Sequence, residues 1–205
     1  MNFYTSDTHF YHESLLNSPV FSPRSQFLTS EEMNEKIIES WNNKVKQTDT
    51  VYHLGDISLA FTKPSHLIMT KTLEILNRLN GNLVIIKGNH DNMSLLKFLM
   101  ANNYVTVNGN LKFTIHEVGT RIKFNHYEVF LTHYPLMFGI TKNKINLHGH
   151  IHNYSVHQKE NINVGIDSPE IDYLPSGSVS FGAPLSESEI IHIIQAKRTD
   201  YLQRV

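Results

Sequence analysis

Five short polar clusters each stand directly behind an apolar run. They are Asp7-Thr8-His9, Gly55-Asp56, Gly88-Asn89-His90-Asp91, Thr132-His133 and Gly149-His150-Ile151-His152. Together they offer carboxylate oxygens, one amide oxygen and imidazole nitrogens. That donor set suits borderline divalent ions such as Mn²⁺, Fe²⁺ or Zn²⁺. Asp7, His9, Asp56, Asn89, His133, His150 and His152 make seven candidate ligands. Seven is too many for one tetrahedral site and suits two ions sharing a ligand. Asp56 is the expected bridge, because it stands alone on its loop and each carboxylate oxygen can hold one cation. Asp7 and His9 are two residues apart, as are His150 and His152. In an extended strand end, each such pair would point to one side.

Two divalent ions, set against the carboxylates of Asp7 and Asp56 and one bridging hydroxide, leave about one positive charge in excess. Such a site favours an anionic phosphate ester. A pair of metals roughly 3.5–4 Å apart is the clamp used in phosphoryl transfer, and it lowers the pKa of bound water toward about 7. The chemistry expected is in-line attack of a metal-bound hydroxide on a phosphomonoester or phosphodiester.

The totals fit a carrier for such a site. The chain has 205 residues, 40% hydrophobic and 18% charged, as one globular domain over residues 1–205 would have. Its net charge of −1 gives no broad electrostatic case for nucleic acid or an acidic membrane surface. It has no cysteine, which excludes disulfides and thiolate metal sites. The start lacks the basic, then apolar pattern of a signal peptide, and no run approaches the roughly 18 apolar residues of a membrane span. A cytoplasmic setting is the expectation.

The clusters need elements to hold them. Phe3 to Ser6, Val51 to Leu54 and Leu83 to Ile86 read as strands. Helices are expected from the Thr29/Glu32 capping box to Val45, from Ser65 to Leu79 closed by Gly81, and from Met93 to Ala101. Strand–helix alternation implies βαβ units and a mainly parallel half-sheet. Beyond Tyr104 the chain turns β-rich, with strands expected at 112–118, 121–125, 129–132, 145–147, 154–156 and 162–166, then a last helix opened by Ser186-Glu187. Residues 10–29 read as irregular, with 12–29 either a lid over the first cluster or a plain surface excursion. The expected fold is one α/β domain of two packed sheets with helices outside.

The motifs Asp7-x-His9, Gly55-Asp56, Gly88-Asn89-His90-Asp91, His133 and Gly149-His150-x-His152 resemble, in order, those of the calcineurin-like metallophosphoesterase family. Asp7-Thr8-His9-Phe10 and Asn163-Val164-Gly165-Ile166-Asp167 look like its small, single-domain bacterial and phage-type branch. The resemblance implies a four-layer α/β/β/α sandwich of two mixed sheets. It implies one ion held by Asp7, His9, Asp56 and His152, and another by Asp56, Asn89, His133 and His150. Mn²⁺ leads the candidates, ahead of Fe²⁺, Zn²⁺ or Ni²⁺. His90 resembles the family's general acid, with Asp91 holding its ring. Asn89 and His12 are the candidates for reaching a substrate phosphate. The implied partner is a small phosphate ester, with a small or cyclic nucleotide fitting the frame. The other readings are a non-catalytic interaction scaffold of the same fold and a nuclease. The intact His90 and ligand set argue against the first, and the near-neutral charge against the second.

Overall fold

The structure, a computed structural model, describes residues 1–16, 18–58 and 65–204. Among the described residues, four α-helices and nine strands follow one another: β1 (Asn2–Thr5), α1 (Ser30–Lys44), β2 (Thr50–His53), α2 (His66–Arg78), β3 (Asn82–Ile86), α3 (Met93–Ala101), β4 (Phe113–His116), β5 (Gly119–Phe124), β6 (Tyr127–Thr132), β7 (Lys144–His148), β8 (Asn161–Asn163), β9 (Leu185–Ser186) and α4 (Glu187–Arg204). They build two mixed sheets flanked by helices, the α/β architecture expected. The first sheet runs β4-β3-β2-β1-β9, and the second β5-β6-β7-β8. β1 to β4 are parallel, and β9 is antiparallel to β1. In the second sheet β5 and β6 are antiparallel, whereas β6, β7 and β8 are parallel.

Strand alternation distributes the apolar residues between two cores. Phe3, Val51, Leu83 and Ile85 face α1, α2 and α3 in one buried cluster with Met33, Trp41, Leu76 and Leu96. Their strand neighbours Tyr4, Leu54 and Ile86 join the other cluster, with Val129, Leu131, Ile145 and Leu147 of the second sheet and Ile190, Ile193 and Ile194 of α4. The first sheet is therefore buried on both faces. Parallel strands buried on both faces fix the positions of the loops that leave their ends.

Helix starts match the capping chemistry. Thr29 Oγ1 accepts from Glu32 N, Ser65 Oγ from Ile68 N, and Asn92 Oδ1 from Ser94 N. Glu32 reaches back one residue further than expected, accepting from Leu28 N at 2.9 Å. Trp41 is fully buried and its indole Nε1 donates to Asn80 O at 3.0 Å, tying α1 to the end of α2. Trp41→Ala is expected to cost about 3–5 kcal/mol, measured as a lowered urea midpoint with an unchanged slope.

Three expectations need correction. Tyr154–Val156 is not a strand: Asn163 Nδ2 donates to His152 O and Tyr154 O, so a side chain takes carbonyls that a ladder would use. The strand expected over 162–166 is Asn161–Asn163 only, and Gly165 instead bridges Ser6 across the two sheets. β9 gives no periodic signal because it has two residues, and pairing with β1 alone defines it. The segment expected to be irregular holds 3₁₀ turns at Glu13–Leu15 and Pro19–Arg24.

Candidate metal centre

All five clusters lie just past carboxyl ends of parallel strands. Asp7 follows β1, Asp56 follows β2, Asn89 follows β3, His133 follows β6 and His150 follows β7. Main-chain bonds lace the loops together: Asp7 N donates to Gly55 O, His9 N to Asp56 O, and Gly149 N to His133 O. The side chains converge into two groups. Asp7, His9 and His152 form one, and Asp56, His133 and His150 the other, with donor atoms within 4.8 Å of one another in each. Asn89 Oδ1 joins the second, 2.7 Å from His133 Nε2 and 2.8 Å from His150 Nδ1. Asp56 Oδ2 stands between the groups, 3.6 Å from His9 Nε2 and 3.4 Å from His133 Nε2. The seven residues expected as ligands are thus brought together.

The two-apart pairs do not share a side through extended backbone. Asp7 (φ 57°), His9 (47°), Asp56 (58°), His150 (72°) and His152 (48°) all lie in the left-handed region. They are five of the eight non-glycine residues with positive φ among the described residues. Such a conformation costs on the order of 1–3 kcal/mol each and persists only where the surroundings impose it. Here the assembled loops, not the period-two alternation of a strand, turn these side chains inward.

The donor atoms fit cations. His9 Nε2 is buried without a hydrogen-bond partner, the condition of a lone pair awaiting a ligand bond. Burial, with Arg24 and the neighbouring His152, His12 and His90, holds the His9 ring well below the usual imidazole range and so neutral. Burial also pushes the Asp7 carboxyl up to about 6, against the pull of His152 and His133. A carboxylate in so dry a place gains most from a bound cation.

The sequence model of the calcineurin-like phosphoesterase superfamily domain matches residues 3–183. The chain belongs to this family. In general terms that makes it a metal-dependent phosphoesterase. The chain is 33% identical over 156 residues to the uncharacterized protein MJ1445 of Methanocaldococcus jannaschii, covering 73% of this chain and 81% of that protein. It is similar in structure to AQ665 of Aquifex aeolicus, a protein of unknown function, with a TM-score of 0.61 at 25% identity over 93% of this chain and 97% of that one. YfcE, a phosphoesterase from E. coli, aligns with a TM-score of 0.43 at 18% identity over 86% of this chain and 82% of its own.

In this phosphoesterase the remaining site residues sit as follows. His90 is partly exposed, with Nε2 3.9 Å from Asp56 Oδ2, and its main-chain N donates to Asp56 Oδ1 at 2.8 Å. Asp91 accepts three main-chain N–H groups, from Asp56, Ile57 and Gly88 at 2.8–2.9 Å, and so ties the Asp56 loop to the turn after β3. His12 is buried with Nδ1 3.2 Å from His9 Nδ1. His53 accepts from Gly55 N and shares a bond with Thr8 Oγ1, and burial holds its ring down to about 3 and neutral. Tyr11 packs against the helix-side core.

Arg24 gave no signal in the sequence, as one basic residue in an irregular stretch. It is fully buried beneath the first group. Its Nε donates to Asp167 Oδ2 at 2.8 Å, Nη1 to Thr8 O at 3.1 Å and Nη2 to Asp7 O. Asp167 in turn accepts from His152 Nδ1. The arginine and the His152 imidazole outweigh burial and hold the Asp167 carboxyl down to about 2.

Two glycines leave room for the carboxylates. A Cβ on Gly88 would lie 2.2 Å from Asp56 Oδ1, and one on Gly149 would lie 2.3 Å from Asp7 Oδ2. Gly149→Ala is expected to weaken Mn²⁺ binding at least about tenfold while costing about 1–3 kcal/mol of stability. Calorimetric titration beside a thermal melt would measure both changes.

Proposed function

We propose that this chain is a dinuclear-metal-dependent phosphoesterase acting on a small phosphomonoester or phosphodiester of nucleotide size, as a single cytoplasmic domain. The observation that carries the reading is the position of Asp56 Oδ2 between His9 Nε2 and His133 Nε2. One ligand set is Asp7, His9, Asp56 and His152, the other Asp56, Asn89, His133 and His150. Bound divalent ions supply Lewis acidity to the phosphoryl oxygens and make water acidic enough to attack at neutral pH.

The protein's own groups do the rest. Asn89 and the histidines fix where the phosphate sits. Hydrolysis adds water across the bond from phosphorus to the leaving oxygen, and that oxygen needs a proton. His90 is placed to give it, because its Nε2 stands at the open side of Asp56, 31% exposed, while Asp56 Oδ1 anchors its backbone. Asp91, expected at the His90 ring, is placed to hold the turn that carries His90 through the main-chain N–H groups of Asp56, Ile57 and Gly88. His12 orients the His9 ring through Nδ1 and lies within reach of a bound phosphate.

A panel of phosphate esters tests this reading: monoesters, diesters and cyclic nucleotides with Mn²⁺, Ni²⁺, Zn²⁺ and Mg²⁺ in turn. Turnover that is lost on chelation and restored by Mn²⁺ is expected, including p-nitrophenol release from bis-p-nitrophenyl phosphate. No turnover on any ester with any ion would favour the scaffold reading instead.

A further inference from the structure

We infer that Arg24 and Asp167 are a positioning pair that builds one of the two metal sites, the Asp7–His9–His152 site, and leaves the other to the sheet. This rests on the two-ion reading above. A guanidinium without solvent contact is expensive unless every face of its fork is used. Here the oxygen partners of the fork all serve the first group, with one further contact from Nη1 to Met33 Sδ of α1 at 3.7 Å. Nη1 and Nη2 hold the carbonyls of Thr8 and Asp7, the stretch whose left-handed backbone aims Asp7 and His9 inward. Nε holds Asp167, whose oxygens lie 3.1 and 3.3 Å from His152 Nδ1. A proton fixed on Nδ1 leaves Nε2 of that ring with the lone pair a cation needs. Arg24 thus holds the main chain that carries Asp7 and His9 and, through Asp167, the His152 ring, while His150 N holds the Asp7 carboxylate and His12 the His9 ring. The 3₁₀ turn that carries it also sets Phe21 edge-on against His152, with ring centroids 4.6 Å apart.

The second group is propped differently. His133 Nδ1 bonds Leu54 O at 2.8 Å, main chain at the end of β2. The Asp56 loop is held through Asp91 by main-chain N–H groups of Asp56, Ile57 and Gly88. The segment around Arg24 is thus neither lid nor plain excursion. It is a strut for one site of two. Asp167 cancels the charge of Arg24, so the strut does not repel the ion it serves.

Arg24→Met, Arg24→Lys and Asp167→Asn test this, with metal-free protein titrated with Mn²⁺ and the ions located by anomalous scattering from crystals at limiting Mn²⁺. Loss of a group that orients a ligand typically costs 10–100-fold in metal affinity. A drop of that size is expected at the Asp7 position only, with the Asn89 position within about twofold of wild type. Arg24→Lys keeps the charge but not the fork, so it should fail as Arg24→Met does. Asp167→Asn keeps shape and both carbonyl bonds of Arg24, and serves if the arginine variants do not fold. A residue that merely supports the fold would lower the melting temperature and weaken both sites alike, and that result overturns the inference. So do two ions bound with wild-type affinity in the variants. A wild-type chain without an ion at Asp7 removes the two-ion reading, and this inference with it.

Discussion

Asp56→Asn is expected to weaken both ions together and to lower turnover by more than about 100-fold. The size follows from comparison: groups that only orient a ligand cost 10–100-fold in affinity or activity, and the proposed function makes Asp56 a ligand to both ions. Asn has nearly the same shape, so the main-chain bond from His90 N to Oδ1 can persist. Its amide cannot offer two anionic oxygens, and the charge opposing two cations is halved. Calorimetry should show both binding events shifted, with the circular dichroism spectrum unchanged. A shift in one event alone would show that Asp56 serves a single ion.

His90→Ala is the second large effect. General acid catalysis contributes about 10²- to 10⁴-fold, so turnover on an ester with a poor leaving group should fall by that much. An ester of p-nitrophenol, whose leaving oxygen needs little help, should lose far less. Both metal sites should remain, because the contact of His90 with Asp56 is at 3.9 Å and neither group of donor atoms includes it. A metal-replete variant with wild-type turnover on both esters would take the proton-donor role away from His90.

The sequence exposed the candidate ligands because each sits where an apolar strand stops, and that transition is local. The βαβ half was legible for the same reason: the capping box at Thr29, helical apolar spacing and short apolar runs leave marks within a few residues. What it hid depends on distance along the chain. β9 exists by pairing with β1, more than 180 residues away. Tyr154–Val156 looked strand-like until Asn163 took its carbonyls. Arg24 is joined to Asp167 across 143 positions, and nothing around either residue announces the other. The left-handed backbone at five of the candidate ligands was equally unreadable, since the loops impose it only once assembled. The ligand types were visible, and the means of holding them was not.

The most direct test of a two-ion phosphoesterase is turnover measured against metal content. Mn²⁺ is added stepwise to metal-free protein while hydrolysis of bis-p-nitrophenyl phosphate is followed. Turnover should stay near background through the first equivalent and rise to its plateau as the second binds. Full turnover at one equivalent, or none at any, would contradict a site built around a shared Asp56.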